Sequence, residues 1–182
     1  YKGTDNMQEI PLPAWLHFVG WGSEALTLAC SLEDSLEKPA IYHCISRVVD
    51  RRFVLGDDER EQFRKFMRMQ ENFSGCRVLS YCLMSNHFHL LLEVPPMPEG
   101  GISDELLLKR LTAIQSAVFV AGVAQELQHA RQAGNDMLAA EIHARHTYRM
   151  HSLSEFMKTL LQRFTRWFNR VHERSGTLWE QR

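Results

Sequence analysis

The segment Ser152–Gly176, "SLSEFMKTLLQRFTRWFNRVHERSG", limits the possible folds more than any other part of the chain. Leu153, Met157, Leu160, Phe164, Phe168 and Val171 recur at helical spacing, which lays large apolar side chains along one stripe of a long helix. Ser152 with Glu155 three residues on has the form of a capping box, and Gly176 sits just past the predicted end. A stripe this long needs an apolar partner surface. The rest of the chain must supply a sheet or a second helix.

Both are legible upstream. From Ala40, "AIYHCISRVV" is rich in β-branched and aromatic residues and predicts a first strand. Asp57 and Asp58 then precede "EREQFRKFMRMQENF", where Phe63, Phe66, Met67 and Phe73 form a helical stripe that Gly75 ends. "CRVLSYCLMS" and "HFHLLLEV" predict two strands joined at a Ser85-Asn86 turn, hence a hairpin. After the loop Pro95–Gly101 the pattern is helical from Ser103 to about Arg131 and from about Met137 to His146. The stretch from about 99 to 151 is thus a predicted helical insertion. Strand, helix, strand, strand, helix is a split β-α-β order, which predicts an α+β fold: an antiparallel sheet with helices on one face.

The 182 residues suffice for one domain with a real core, and 45% hydrophobic with 24% charged residues is globular composition. No run approaches the roughly 20 apolar residues of a membrane helix, and the N-terminus lacks a signal-peptide layout, so the expectation is a cytoplasmic protein without a membrane partner. Cys30, Cys44, Cys76 and Cys82 include no C-x-x-C pair, which predicts reduced, mostly buried thiols. Net charge is −1, but residues 1–39, an N-terminal extension with no assigned function, hold two basic and six acidic side chains. Residues 152–182 hold six basic and three acidic, so a local basic surface is compatible with the neutral total.

Within the "HFHLLLEV" strand, His87 and His89 project to one face while Phe88, Leu90 and Leu92 point to the other. Two readings compete: half-buried histidines bonded to backbone, or a pair sharing one divalent cation. Burying two unpaired imidazoles is costly and the strand has the apolar content of a central one, which favours a site. His43 on the first strand is either a structural histidine or a neighbour or further ligand of the pair. His143 and His146, at i and i+3 without a Glu-x-x-His set, read as surface residues. No G-x-S-x-G, Walker loop or dinucleotide fingerprint is present.

Arg163, Arg166, Arg170 and Arg174 recur along one side of the last predicted helix, beside its apolar stripe. Such an array is either a solvated flank or a phosphate-binding face. Together with Arg47, Arg51 and Arg52 after the first strand it predicts a phosphodiester ligand.

"AIYHCISRVVDRRFVL", "YCLMSNHFHLLLEVP" and "SLSEFMKTLLQRFTRWFNRVHERSGTLWEQR", in that order, resemble the HUH tyrosine transposases of the single-strand insertion-sequence class, especially the REP-associated group. The resemblance covers about residues 40–95 and 152–182. It implies a ferredoxin-like, RRM-like domain over 40–182 with the HUH strand central, and cleavage and rejoining of single-stranded DNA, with hairpin DNA bound. It implies that His87 and His89 hold Mg²⁺ or Mn²⁺ against the scissile phosphate, and that a tyrosine attacks to leave a 5′-phosphotyrosine. Relatives of this class act as dimers; a homodimer or a monomer fits the sequence. The family's tyrosine lies in a Y-x-x-x-N-P-V helix beyond the G-x-L-W block, and Tyr1, Tyr42, Tyr81 and Tyr148 do not match it. The expectation is a C-terminally incomplete chain whose nucleophilic tyrosine would follow Arg182, with Tyr148 a substitute at most. The alternative is a domesticated hairpin-binding module that lacks the nucleophile and cuts nothing.

Overall fold

The computed structural model describes residues 38–180. The N-terminal extension, up to residue 37, lies outside them, and so do Gln181 and Arg182. Three strands and five helices follow the predicted order: β1 Ala40–Arg47, α1 Asp57–Ser74, β2 Arg77–Leu83, β3 His87–Val94, α2 Asp104–Leu111, α3 Ala117–Gln132, α4 Asp136–Thr147 and α5 Leu153–Val171. The sheet is antiparallel in the order β1-β3-β2, so the strand with the paired histidines is central. The fold is α+β, as the strand and helix periodicities predict.

Strand alternation sorts β3 cleanly. Phe88, Leu90 and Leu92 are fully buried beneath the helices, while His87, His89 and Leu91 belong to the opposite, helix-free face. The core joins these three and Cys44 of β1 to Phe63 and Met67 of α1 and to Phe156, Leu160, Phe164 and Phe168 of α5, with Leu178 and Trp179 closing one end. Phe164 lies at its centre, its ring within 6.0 Å of those of Phe63, Trp167, Phe168 and Trp179.

The helix ends show local rules at work. In α1 the Glu59 carboxylate accepts the Gly56 N–H at 2.9 Å, and the helix stops at Gly75 with φ +76°. A β-carbon at Gly75 would meet the Arg110 guanidinium and the His151 ring within 3 Å, so that position is closed to other residues on two counts. At α5 only one arm of the predicted capping box forms: Ser152 Oγ accepts from Glu155 N at 3.4 Å, while the Glu155 carboxylate takes Lys158.

Three details of the last helix differ from the sequence reading. Phe156 belongs to the buried stripe, and Val171, at 52% exposure, does not. The helix ends at Val171, with Glu173 rather than Gly176 first in the left-handed region, at φ +49°. Arg174 is therefore off the helix, in a turn where it donates to Thr177 O and lies over the Phe168 ring.

The predicted insertion is helical but broken once more than its periodicity suggested. Residues 112–116 interrupt it, because Thr112 Oγ1 turns back to Lys109 O and Ser116 caps a new helix by accepting from Phe119 N. The helices α2, α3 and α4 bury a second core, Leu107, Leu111, Val123, Leu127, Ala139 and Ile142 among it, onto which Phe73 of α1 and Met150 dock. No helix among the described residues is long and apolar enough to cross a membrane.

Candidate active site

The helix-free face of the sheet collects the histidines. The register sets Arg47 opposite His87, Ile45 opposite His89 and His43 opposite Leu91 on β1, and Cys82 of β2 opposite His89. Directly opposed residues share a face, so His43, His87, His89 and Arg47 stand together there. The His87 and His89 rings lie 5.3 Å apart, and His43 stacks on His89 at 5.1 Å.

Each histidine of the pair is held by its Nδ1. Asn86 Nδ2 donates to Arg51 O at 3.2 Å, which turns Oδ1 toward His87 Nδ1 at 2.6 Å. The carbonyl can only accept, so the amide orientation is settled and the His87 Nδ1 carries the proton. The Nε2 lone pair of His87 is thereby left free. His89 Nδ1 lies 3.0 Å from His43 Nε2, and with Nδ1 as donor the Nε2 of His89 is free as well. Burial, and after it His43, His87 and Arg47, push His89 below the usual histidine range, which keeps its lone pair available near neutral pH.

Backbone bonds fix this corner. Val48 N donates to Asn86 O, Leu55 N to Ser85 O and Glu180 N to Arg47 O. Between them the chain makes a short 3-10 turn, Val49–Arg51, with Asp50 and Arg51 in the left-handed region at φ +58° and +54°. Two such non-glycine residues cost about 1–2 kcal/mol each. The strained turn presents the exposed Arg51 and Arg52 beside the histidine corner and aims the Arg51 carbonyl at Asn86.

An imidazole with its Nδ1 tethered and its Nε2 open is the kind of donor that a divalent cation takes from a histidine, and with His89 Nδ1 as the donor to His43 both His87 and His89 have that arrangement. The His43 Nε2 is engaged by His89 Nδ1, so that nitrogen is not open on the face. Among the described residues no group of three or more His, Cys, Asp or Glu side chains is placed to hold one ion. Sequence reasoning took Asn86 only as a turn former; its place directly before the first histidine was the available signal.

No described tyrosine stands on the histidine face. Tyr42 and Tyr81 pair with Leu92 and Leu90, on the core side. Tyr148 follows α4; three residues on, His151 bonds Pro95 O, just past the end of β3, whereas His87 opens that strand. This sets the segment just after Tyr148 at the end of β3 opposite to the one His87 opens. The family tyrosine expected after Arg182 falls outside the described residues, which end at Glu180. His143 is likewise taken, bonding Asp104 at 2.6 Å beside Arg131, and is a structural residue.

The arginines do not form one surface. Arg47, Arg51 and Arg52 flank the histidines, whereas Arg163, Arg166 and Arg170 line a groove of about 440 Å³ on α5, with Phe66 of α1, Trp167 and Arg149. Both helices pack on the core side of the sheet, so this groove lies across the helix layer from the histidines. Arg174 is not in it. Arg149, which sequence reasoning missed because it precedes the helix, donates to Thr159 Oγ1, and Arg163 donates to Ile114 O. Burial, then Arg149 and Arg166, lower the Arg163 pKa from its ordinary value.

An antiparallel sheet backed by two helices, with a histidine pair on its open face and arginines beside it, defines the α+β class of this protein. The IS200-like transposase family model matches residues 38–131, just over half of the chain, and the chain belongs to that family. The match runs through α2 and nearly all of α3, so it reaches into the stretch the sequence set apart as an insertion; α4 and α5 lie beyond it. No curated protein matches the chain.

Proposed function

We propose that the helix-free face cleaves and rejoins single-stranded DNA carrying hairpins, with a divalent cation, Mg²⁺ or Mn²⁺, on His87 and His89. The observation that carries this reading is the pair of imidazoles whose Nδ1 atoms are both engaged, so that two Nε2 lone pairs remain for one ion. A cation bound there supplies Lewis-acid polarisation of the scissile phosphate. Asn86 holds the His87 tautomer, His43 orients His89, Arg47 adds positive charge beside them, and Arg51 and Arg52 take neighbouring phosphates. Two imidazoles form a softer site than Mg²⁺ prefers, and Mn²⁺ suits them at least as well.

In this reading a tyrosine hydroxyl attacks the phosphorus, its O–P bond forming as the bond to the 3′ oxygen breaks. The products are a 5′-phosphotyrosine and a free 3′-OH, which conserves the bond energy for rejoining. The second reading is a hairpin-binding module that does not cut; among the described residues Tyr42 and Tyr81 lie on the core side and Tyr148 follows α4. Incubation with hairpin-bearing single-stranded oligonucleotides and Mn²⁺ decides between them. A covalent 5′-linked adduct that disappears in His87→Ala supports cleavage. Tight hairpin binding by the full-length protein with no adduct supports the binding module.

A further inference from the structure

The groove across the helix layer has features that the reaction at the histidine face does not use. Four guanidinium groups, from Arg149, Arg163, Arg166 and Arg170, line it, and none takes part in an ion pair among the described residues. Several other arginines of the described chain are paired, including Arg60, Arg64, Arg68, Arg77, Arg131 and Arg145. Crowding four like charges without a counter-charge is unfavourable unless an anion completes the site.

Two of the four are pre-set. Arg149 is held by Thr159 and lies over the Phe73 ring at 5.2 Å; Arg163 is held by the Ile114 carbonyl and lies over Phe66 at 5.9 Å. Arg166 and Arg170 line the groove and are exposed. Trp167 packs against Phe164, with ring centroids 5.5 Å apart, and also lines the groove. Guanidinium groups recognise phosphate, an indole face recognises a base, and the volume is that of a small-ligand pocket.

We propose that this groove is a nucleotide-binding site, in which the base stacks on Trp167 and the phosphates lie on Arg149, Arg163, Arg166 and Arg170. The ligand is an aromatic base bearing phosphate, supplied as a free nucleotide or as an unpaired nucleotide within a strand. A duplex satisfies the arginines but keeps its bases stacked in the helix, away from Trp167. The site is independent of the histidine face: one helix diameter and one sheet spacing, about 20 Å, separate the two surfaces. Binding here does not require cleavage there.

The test titrates the full chain with a deoxynucleoside triphosphate, an unpaired oligonucleotide and a blunt duplex of equal phosphate number, reading tryptophan fluorescence and ligand anisotropy. The free nucleotide or the unpaired strand is expected to quench saturably, and whichever does so identifies the source. Arg166→Glu with Arg170→Glu should weaken that binding at least tenfold and flatten its salt dependence. Trp167→Ala should remove the quench and weaken binding, and Trp167→Phe should restore most of the affinity, which a folding defect would not do. His87→Ala should bind unchanged, so loss of cleavage and loss of groove binding are distinguishable. Duplex bound as tightly as the unpaired ligands, a quench that survives Trp167→Ala, or equal competition by polyglutamate would each overturn the proposal.

Discussion

Asn86 Oδ1 stands 2.6 Å from His87 Nδ1, and the same amide donates to Arg51 O, so one turn residue joins the strained loop after β1 to the first histidine of the pair. The bond fixes which nitrogen of His87 is free. Outer partners of this kind typically change metal affinity about 10- to 100-fold. Asn86→Ala should therefore weaken Mn²⁺ binding by about one to two orders of magnitude, measured by titration calorimetry, with little change in Tm. Affinity equal to wild type would show that the tautomer is set by another contact.

The second core has an acid-sensitive clasp. Arg131 and, less strongly, His143 hold Asp104 from its ordinary 3.8 down to about 2. A carboxylate with a depressed folded pKa contributes stability that is complete above its unfolded value and is lost as pH falls through the folded one. Asp104→Asn should lower Tm at pH 6, and the gap from wild type should close between about pH 4 and about pH 2. A gap of constant size across that range would refute the clasp.

Phe164 is the most connected aromatic of the main core. Phe164→Ala should cost about 3–5 kcal/mol in urea denaturation, since the cavity opens between two helices and the sheet. Val171→Ala, two turns further along but exposed, should stay within about 0.5 kcal/mol. Similar losses for the two would contradict the register of α5.

Burial pushes the Cys44 thiol up to about 12 and raises Cys76 as well, while Cys82 is exposed on β2. The thiolate is the reactive form. Peptide mapping after brief treatment with a thiol reagent should find Cys82 labelled, and Cys44 and Cys76 labelled only after unfolding. Early modification of Cys44 would mean that the sheet opens locally.

Local pattern determined a good deal. The alternation of "HFHLLLEV" placed Phe88, Leu90 and Leu92 in the core and the histidines together on the other face, because side-chain direction in a strand has a period of two. The helical stripe of α5 and the cap at Gly75 were legible for the same reason: both are set within a few residues. Three blocks of residues also carried the resemblance; the first two fall inside the family match over 38–131, and the third, Ser152–Arg182, lies beyond it.

Contacts between distant residues were decided only in three dimensions. That His43 spends its nitrogen on His89, 46 positions away, follows from the β1-β3 register, and the role of Asn86 from a carbonyl 35 positions away. The division of the arginines was equally hidden. Sequence spacing placed Arg163, Arg166 and Arg170 on one helix side and Arg47, Arg51 and Arg52 after one strand, but not on opposite sides of the helix layer. Periodicity reports which residues of one element share a face. Which faces of different elements meet is set by how the helices cover the sheet, and that depends on side chains far apart in the chain.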